Sequence, residues 1–250
     1  MFYRDMRSGA RMPVVGLGLW KVPKDVAADV VYNAIKNGYR HLDGACDYGN
    51  EVEVGQGIKR AIDEGIVTRE DLFIVSKLWN TYHRPEYVEM ACRKSLTDLG
   101  IDYFDLYYIH FPISLAYVPI ETMYPPEWVN FDESITGGEP RMVLDYEVTY
   151  EQTYHAMEDL HRKGLIRDIG VSNIDSMMLH QIKRYAQIMP SALQVEMHPY
   201  NTNVRLNKLC RKYFIEIVAF SNLGSASYVE LQMAKPEDSL WNQQAVTDVA

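Results

Sequence analysis

Short apolar runs and stretches with helical spacing alternate along this chain. After a hairpin over 2–13, the apolar runs predict seven strands, at 16–20, 39–43, 72–77, 106–110, 166–171, 193–196 and 215–220. Apolar residues that recur every three or four positions predict the helices that follow these strands, at 25–37, 50–64, 85–99, 149–164, 176–187 and 203–213. Strand and helix alternate throughout, which is typical of a parallel sheet covered by helices.

One segment, 111–148, breaks this alternation and shows little periodicity. A connection of this length inside a compact domain is typical of a functional loop or lid. The next helix begins clearly, because Thr149 and Gln152 have the spacing of a capping box.

Side chains suited to acid–base chemistry stand at the ends of three successive predicted strands. Asp43 ends the first of them, Lys77 the second and His110 the third, while Tyr48 follows in the loop after Asp43. The carboxyl ends of strands are where βα folds place their chemistry. We expect the Lys77 ammonium, paired with Asp43, to lower the pKa of Tyr48 from its usual value of about 10. The phenol could then protonate a carbonyl oxygen that His110 orients.

Each of these residues also has a structural interpretation. A lysine at a strand end is more often solvated than catalytic, His110 could be a core histidine, and Asp43 and Tyr48 could shape a turn. Their coincidence at successive strand ends favours a functional site. No serine or cysteine nucleophile pairs with a base, and no cluster has metal-ligand spacing. The group therefore suits protonation of a developing alkoxide, with the nucleophile supplied by a cofactor.

The chain of 250 residues carries a formal net charge of −9, with a pI of about 5.3. This acidic balance argues against a nucleic-acid-binding function. Charged residues among the first eleven positions exclude a signal peptide, and no apolar run reaches the roughly 20 residues of a membrane helix. Three scattered cysteines, Cys46, Cys92 and Cys210, indicate a reducing compartment. We expect one cytoplasmic domain over 1–250 that binds neither nucleic acid nor membrane.

Over about residues 3–235 the sequence resembles the aldo-keto reductases, most closely the fungal and yeast xylose (aldose) reductases. The motifs that carry the resemblance lie at 16–20, 43–51, 76–80, 102–112, 170–173 and 194–200, with 118–121 and 124–126 in the long connection. The resemblance implies an α/β fold, a (β/α)8 TIM barrel with an N-terminal β-hairpin. It also implies reduction of aldehydes and aldoses, of the D-xylose-to-xylitol type, with NADPH or NADH as the cofactor.

The resemblance assigns a role to individual positions. Tyr48 matches the proton donor, Lys77 and Asp43 match the residues that tune it, and His110 matches the histidine that orients the substrate. The positions that match the cofactor-binding residues are Ser172, Asn173, Gln194, Phe220, Ser221, Leu223 and Ser225. The positions expected to line the substrate cleft are Trp20, Asp47, Trp79, Phe111 and Trp128.

Two of these positions are notable. Phe220 stands where most members have a tyrosine stacked on the nicotinamide, and it keeps the stacking face but loses the hydroxyl. Asp47 suits hydrogen bonds to sugar hydroxyls, although an aspartate that caps the loop explains it equally well.

Members of the family continue past the length of this chain, so the last barrel strand and the residues that bind the 2′-phosphate of NADPH are expected to be missing. The alternatives are a reductase of sugar phosphates, or a non-catalytic truncated barrel that acts as a binding or structural subunit. A small aldehyde or aldose is the expected partner, and the chain is expected to be a monomer or a homodimer.

Overall fold

The computed structural model describes residues 2–224, 228–229 and 231–249. The predicted hairpin is confirmed, with β1 (Tyr3–Asp5) antiparallel to β2 (Arg11–Pro13). Its buried methionines, Met6 and Met12, pack against side chains of the sheet that include Phe73 and Leu106. The hairpin therefore closes one end of the core enclosed by the strands that follow.

Seven parallel strands form one sheet in which spatial order equals chain order. They are β3 (Leu17–Gly18), β4 (His41–Asp43), β5 (Phe73–Leu78), β6 (Phe104–Ile109), β7 (Ile166–Ser172), β8 (Ala192–Glu196) and β9 (Glu216–Phe220). The sheet curls into a nearly closed barrel. Within the described residues β3 and β9 are its two edges. The predicted barrel architecture and its seven strands are confirmed.

Helices follow the strands and cover the outside of the sheet. They are α1 (Lys24–Lys36), α2 (Glu51–Asp63), α3 (Pro85–Leu99), α4 (Glu133–Thr136), α5 (Tyr150–Arg162), α6 (Ser176–Tyr185), α7 (Val204–Lys212) and α8 (Gln244–Thr247). The predicted capping box is present, because Thr149 and Gln152 each bond the other's backbone at the start of α5. No helix in the described part of the chain is long and apolar enough to cross a membrane.

Both faces of the central strands are buried, and for this reason the sequences of these strands are almost continuously apolar. Every residue of β5 and β6 is buried. Alternate residues face the barrel interior or the helices, since successive side chains of a strand point to opposite faces. Tyr39 is a correction: it was expected in a buried strand, but it precedes β4 and is 36% exposed. Its N–H bonds the Ala34 carbonyl, so it finishes the end of α1 instead.

The segment 111–148 is a long irregular connection, as expected. Its regular structure consists of α4 and two isolated antiparallel bridges, Leu115 with Leu144 and Asn130 with Arg141. Asp145 holds the C-terminal end of this connection in place, because the Asp145 carboxylate accepts a hydrogen bond of 2.6 Å from Arg84 Nε. The connection therefore lies folded against the barrel.

The close packing of β6 and β7 generates a test. A Cβ added at Gly170 on β7 would lie 2.2 Å from Cδ1 of Tyr108, a fully buried ring on β6. Because that ring has no space to move, Gly170→Ala should lower the free energy of unfolding by about 3 kcal/mol in urea denaturation. Gly18→Ala on β3 is the control, since its Cβ would meet nothing within 4 Å. Equal stability losses for the two variants would contradict this packing.

Candidate active site

The turn after β4 places a tyrosine, Tyr48, near the carboxyl end of that strand. A 3-10 turn (Cys46–Tyr48) follows the strand, and Gly49 takes a left-handed φ of 72° that starts the chain into α2. The Asn50 side chain then donates a hydrogen bond of 3.0 Å to the Leu19 carbonyl, after β3. The turn is thus fixed at the carboxyl end of two neighbouring strands.

The structure brings the predicted relay together. Lys77 Nζ donates to Asp43 Oδ1 at 2.6 Å, to the Gly44 carbonyl at 2.8 Å and to the Tyr48 hydroxyl at 3.1 Å. Lys77 has no exposed surface. An ammonium group has three N–H donors, so each of them has an acceptor here.

Burial and charge act against each other within this group. Burial alone would lower the pKa of Lys77, but Asp43 and Tyr48 outweigh it and raise that pKa. Burial disfavours the Asp43 carboxylate, yet Lys77 holds the pKa of Asp43 below its usual value. The pair is therefore ionised at neutral pH.

We expected the pKa of Tyr48 to be lowered, and this expectation is wrong: the net shift raises it. Burial raises the pKa of Tyr48 to about 12, and the Lys77 ammonium only opposes that rise. The phenol is consequently protonated throughout the physiological range. What the ammonium provides is a positive charge at the point where a phenolate would form.

His110 lies one residue beyond β6, with only 6% of its surface exposed. Its ring centroid is 6.0 Å from that of Tyr48. Burial lowers the pKa of His110, and the Asp47 carboxylate opposes this in part, so the imidazole is neutral near pH 7. His110 Nδ1 lies 3.1 Å from Asp47 Oδ1, but the two atoms are not aligned for a hydrogen bond.

Three of the expected cleft residues form an aromatic wall beside His110. Trp79 lies 5.5 Å from the His110 ring, and Trp128 lies 4.9 Å from both Trp79 and Phe111. Trp79 Nε1 also donates to the Glu127 carbonyl at 3.2 Å, which holds the long connection over the site. Trp20 is 43% exposed and makes no ring contact with this wall in the described part of the chain.

The side chains expected to hold a nicotinamide lie within β8 and at the end of β7, and hydrogen bonds join them to the relay. Gln194 Nε2 donates to Asp43 Oδ2 at 2.7 Å, and Asn173 Nδ2 donates to the His110 carbonyl at 2.9 Å. Ser172 Oγ donates to the Gln194 carbonyl at 2.9 Å. These polar groups therefore form one network with the four residues of the predicted site.

A cavity of about 1110 Å³ opens beside this network and is lined by both edge strands. Its wall includes Asp43, Gln194, Phe220 and Ser221. Leu223 follows in the same loop and is 53% exposed. Ser225 lies outside the described residues.

Sequence reasoning assigned no role to Glu51. It is 5% exposed, and its carboxylate accepts a hydrogen bond of 2.7 Å from Ser76 Oγ. The sequence contains one signal, because Glu51 ends the motif at 43–51, but an acidic residue in the first turn of a helix is common without any other role.

Residues 14–246 match the Aldo/keto reductase family. The chain belongs to that family. It is 50% identical to a probable NAD(P)H-dependent D-xylose reductase, xyl1, of Emericella nidulans over 98% of this chain and 75% of the relative.

Two further relatives belong to the same class of reductases. The NADPH-dependent aldose reductase GRE3 of Saccharomyces cerevisiae is 46% identical over 98% of this chain and 75% of its own length. A Bombyx mori aldo-keto reductase, solved in complex with NADP, superimposes with a TM-score of 0.75 at 35% identity and covers 88% of this chain. This chain spans 66% of that solved aldo-keto reductase. The family relationship confirms the resemblance read from the motifs.

Removing the ammonium should expose its structural role. Lys77→Met leaves the buried Asp43 carboxylate without its counter-charge, and at pH 7 we expect a stability loss of about 3–5 kcal/mol in urea denaturation. In the wild type the Asp43 pKa is lowered, so its stabilisation is present above the unfolded value of about 3.9 and lost as pH falls. In the variant the Asp43 pKa is raised, and stability falls as pH rises through it.

The deficit of Lys77→Met should therefore grow between pH 4 and pH 7. The control is the double variant Asp43→Asn/Lys77→Met, which removes both charges and should recover part of the loss. A deficit that does not change with pH would contradict the pairing.

Proposed function

We propose that this protein reduces aldehydes and aldoses with NAD(P)H, in reactions of the D-xylose-to-xylitol type. The observation that carries the proposal is the fully buried Lys77 ammonium, which is paired with Asp43 and lies 3.1 Å from the Tyr48 hydroxyl. This arrangement suits proton donation to an oxygen on which negative charge develops. The names of the fungal and yeast relatives support the same chemistry.

The polar groups beside the relay fit a nicotinamide. Asn173 and Gln194 use their NH₂ groups in the bonds described above, which leaves their side-chain oxygens as acceptors for a carboxamide N–H. Ser172 offers a hydroxyl, and Phe220 offers a ring face on the cavity wall. Ser221, Leu223 and Ser225 are proposed to hold the pyrophosphate. When bound, the cofactor supplies the hydride to the carbonyl carbon of the substrate.

The protein's own groups handle the proton. Tyr48 stays protonated at working pH and gives its proton to the substrate oxygen as that oxygen becomes an alkoxide, a much stronger base than phenolate. Lys77 stabilises the resulting phenolate, and Asp43 keeps Lys77 charged. His110, neutral and unaligned with Asp47, can donate from Nε2 to the same oxygen and orient the carbonyl.

The cleft suits a polyhydroxylated substrate. The aromatic wall offers flat apolar surface, while Asp47 places an acceptor next to His110. Sugar hydroxyls are donors that a carboxylate binds well, whereas an apolar aldehyde has no group to match it. This combination favours aldoses as substrates.

We also propose a cytoplasmic location. Cys46, Cys92 and Cys210 are all free thiols and all buried. Unpaired cysteines of this kind are typical of a reducing compartment.

Replacing the proton donor is the decisive test. Tyr48→Phe should lower kcat/KM for D-xylose and glyceraldehyde by about 10³-fold, because the proton source is lost. Loss of nicotinamide absorbance, with NADPH and then NADH, measures turnover, and quenching of tryptophan fluorescence measures cofactor binding. Binding should change less than about threefold, since the phenol tunes proton transfer rather than affinity.

Tyr39→Phe is the matched control, because Tyr39 lies on the surface outside the site. A folded wild-type chain without turnover would refute the reductase assignment and favour a binding or structural subunit. Full activity in Tyr48→Phe would refute the assigned donor.

Asp47 offers a test of substrate class. Asp47→Asn should raise KM for D-xylose about tenfold, because a charged acceptor contributes about 1.5 kcal/mol to a hydrogen bond. KM for benzaldehyde should stay nearly unchanged. Parallel changes in the two KM values would instead assign Asp47 to the shape of the turn.

A further inference from the structure

We propose that the buried carboxyl group of Glu51 is a positioning group, which holds together the turn that carries Tyr48, the strand that carries Lys77 and the connection 111–148. The proposal rests on the proposed reductase function for its kinetic consequences. Its structural consequences can be measured without any turnover.

Each oxygen of Glu51 bonds a different element. Glu51 is the first residue of α2, three positions after Tyr48. Its Oε1 accepts a hydrogen bond of 2.7 Å from Ser76 Oγ on β5, and its Oε2 accepts one of 3.3 Å from the Tyr124 hydroxyl in the long connection. One side chain thus joins three segments that are far apart in sequence.

The bond to Ser76 acts on the relay through the strand. Ser76 and Lys77 are neighbours on β5, so their side chains point to opposite faces of the sheet. Ser76 faces α2, while Lys77 points towards Asp43 and Tyr48. Holding Ser76 against the start of α2 therefore fixes how far Tyr48 stands from the lysine. A misplacement of about 1 Å within such a group can lower the rate about a hundredfold.

The hydrogen bond to Tyr124 positions the part of the connection 111–148 that lies over the site. Pro125 packs on the catalytic turn, since a Cβ at Gly49 would lie 3.0 Å from Pro125 Cγ. Three residues further on, Trp128 packs on Trp79 with ring centroids 4.9 Å apart. Anchoring Tyr124 therefore also anchors the part of the connection that walls the cleft.

The surroundings of Glu51 favour its uncharged form. Burial raises the pKa of Glu51 to about 7, although the hydrogen bonds from Ser76 and Tyr124 oppose the rise. The titratable and charged groups that face this cluster from the packed elements are Cys46, Cys92, Lys94, Asp98, Tyr107 and Tyr124. Lys94 pairs with Asp98 and lies 4.3 Å from the Tyr124 ring centroid rather than bonding the Glu51 carboxylate. A neutral side chain of the same shape can therefore hold the same three segments together.

The test compares Glu51→Ala with Glu51→Gln, using the full chain. Glu51→Ala should lower kcat about tenfold to a hundredfold through misplacement of the relay. Glu51→Gln keeps an oxygen that accepts from one hydroxyl and an NH₂ group that can donate to the oxygen of the other, and should retain kcat within about threefold. Cofactor affinity, measured by fluorescence quenching, should change less than twofold in both variants, because Glu51 does not line the cavity. Glu53→Gln, the same change two residues along α2, is the matched control and should behave as wild type.

Limited proteolysis with thermolysin gives a readout independent of activity. Cleavage within 111–148 should be about tenfold faster in Glu51→Ala than in wild type, and near the wild-type rate in Glu51→Gln. If Glu51→Ala does not fold, Tyr124→Phe removes one of the two bonds alone. Its connection should be cleaved several-fold faster while the fold is retained.

The melting temperature supplies a pH-dependent check. The folded pKa of Glu51 lies above the unfolded value of about 4.3, so its contribution to stability is complete below that value and lost as pH rises through about 7. Glu51→Gln should therefore melt about 5 °C above wild type at pH 8 and at nearly the same temperature at pH 5.

Different failures have different meanings. If the wild-type chain reduces no aldehyde, the proposed function fails, while proteolysis and melting still decide the role of Glu51. Wild-type proteolysis and kcat in Glu51→Ala would overturn the positioning role. Glu51→Gln as impaired as Glu51→Ala would also overturn it, since the negative charge rather than the bonded shape would then be what matters.

Discussion

The buried ion pair of Lys77 and Asp43 is the interaction on which the rest of the site depends. An ammonium with no exposed surface is stable only where its charge is balanced and each N–H finds an acceptor. Asp43, the Gly44 carbonyl and Tyr48 supply those acceptors from the end of β4 and the turn after it. Because Lys77 needs these hydrogen-bond acceptors, the ends of β4 and β5 and the Tyr48 hydroxyl are held at fixed distances from one another. The same contacts that balance the charge of Lys77 also place a cation beside Tyr48, the proposed proton donor.

Strand β5 contributes side chains to two hydrogen-bond networks, because its alternate residues face the barrel interior and the surrounding helices. Lys77 belongs to the polar group inside the rim, while Ser76 bonds Glu51 in the layer between sheet and helices. Inside the rim the network continues along the carboxyl edge, from Asp43 to Gln194 on β8 and from His110 to Asn173 after β7. The proposed acid, the proposed orienting histidine and the groups suited to a nicotinamide are thus held by one connected set of hydrogen bonds.

The raised pKa of Tyr48 changes how the relay works. A phenol with a pKa of about 12 does not act by being poised to ionise at neutral pH. In the proposed reaction it acts because the acceptor becomes an alkoxide within reach, and because Lys77 stabilises the charge left behind. Burial has a cost for the isolated phenolate, but it also strengthens the attraction of the ammonium by excluding water.

The sequence by itself determined the alternation of parallel strands and helices, the capping box at Thr149 and the placement of Asp43, Lys77 and His110 at one edge, while the barrel was implied by the family resemblance. The sequence could do so because these features depend on local periodicity and on the rule that parallel strands align their carboxyl ends. Only the tertiary structure decided the exposure of Tyr39, the net pKa of Tyr48 and the bonds of Glu51. Burial depends on what packs over a side chain, and the partners of Glu51 lie 25 and 73 residues away along the chain, where no local pattern reaches.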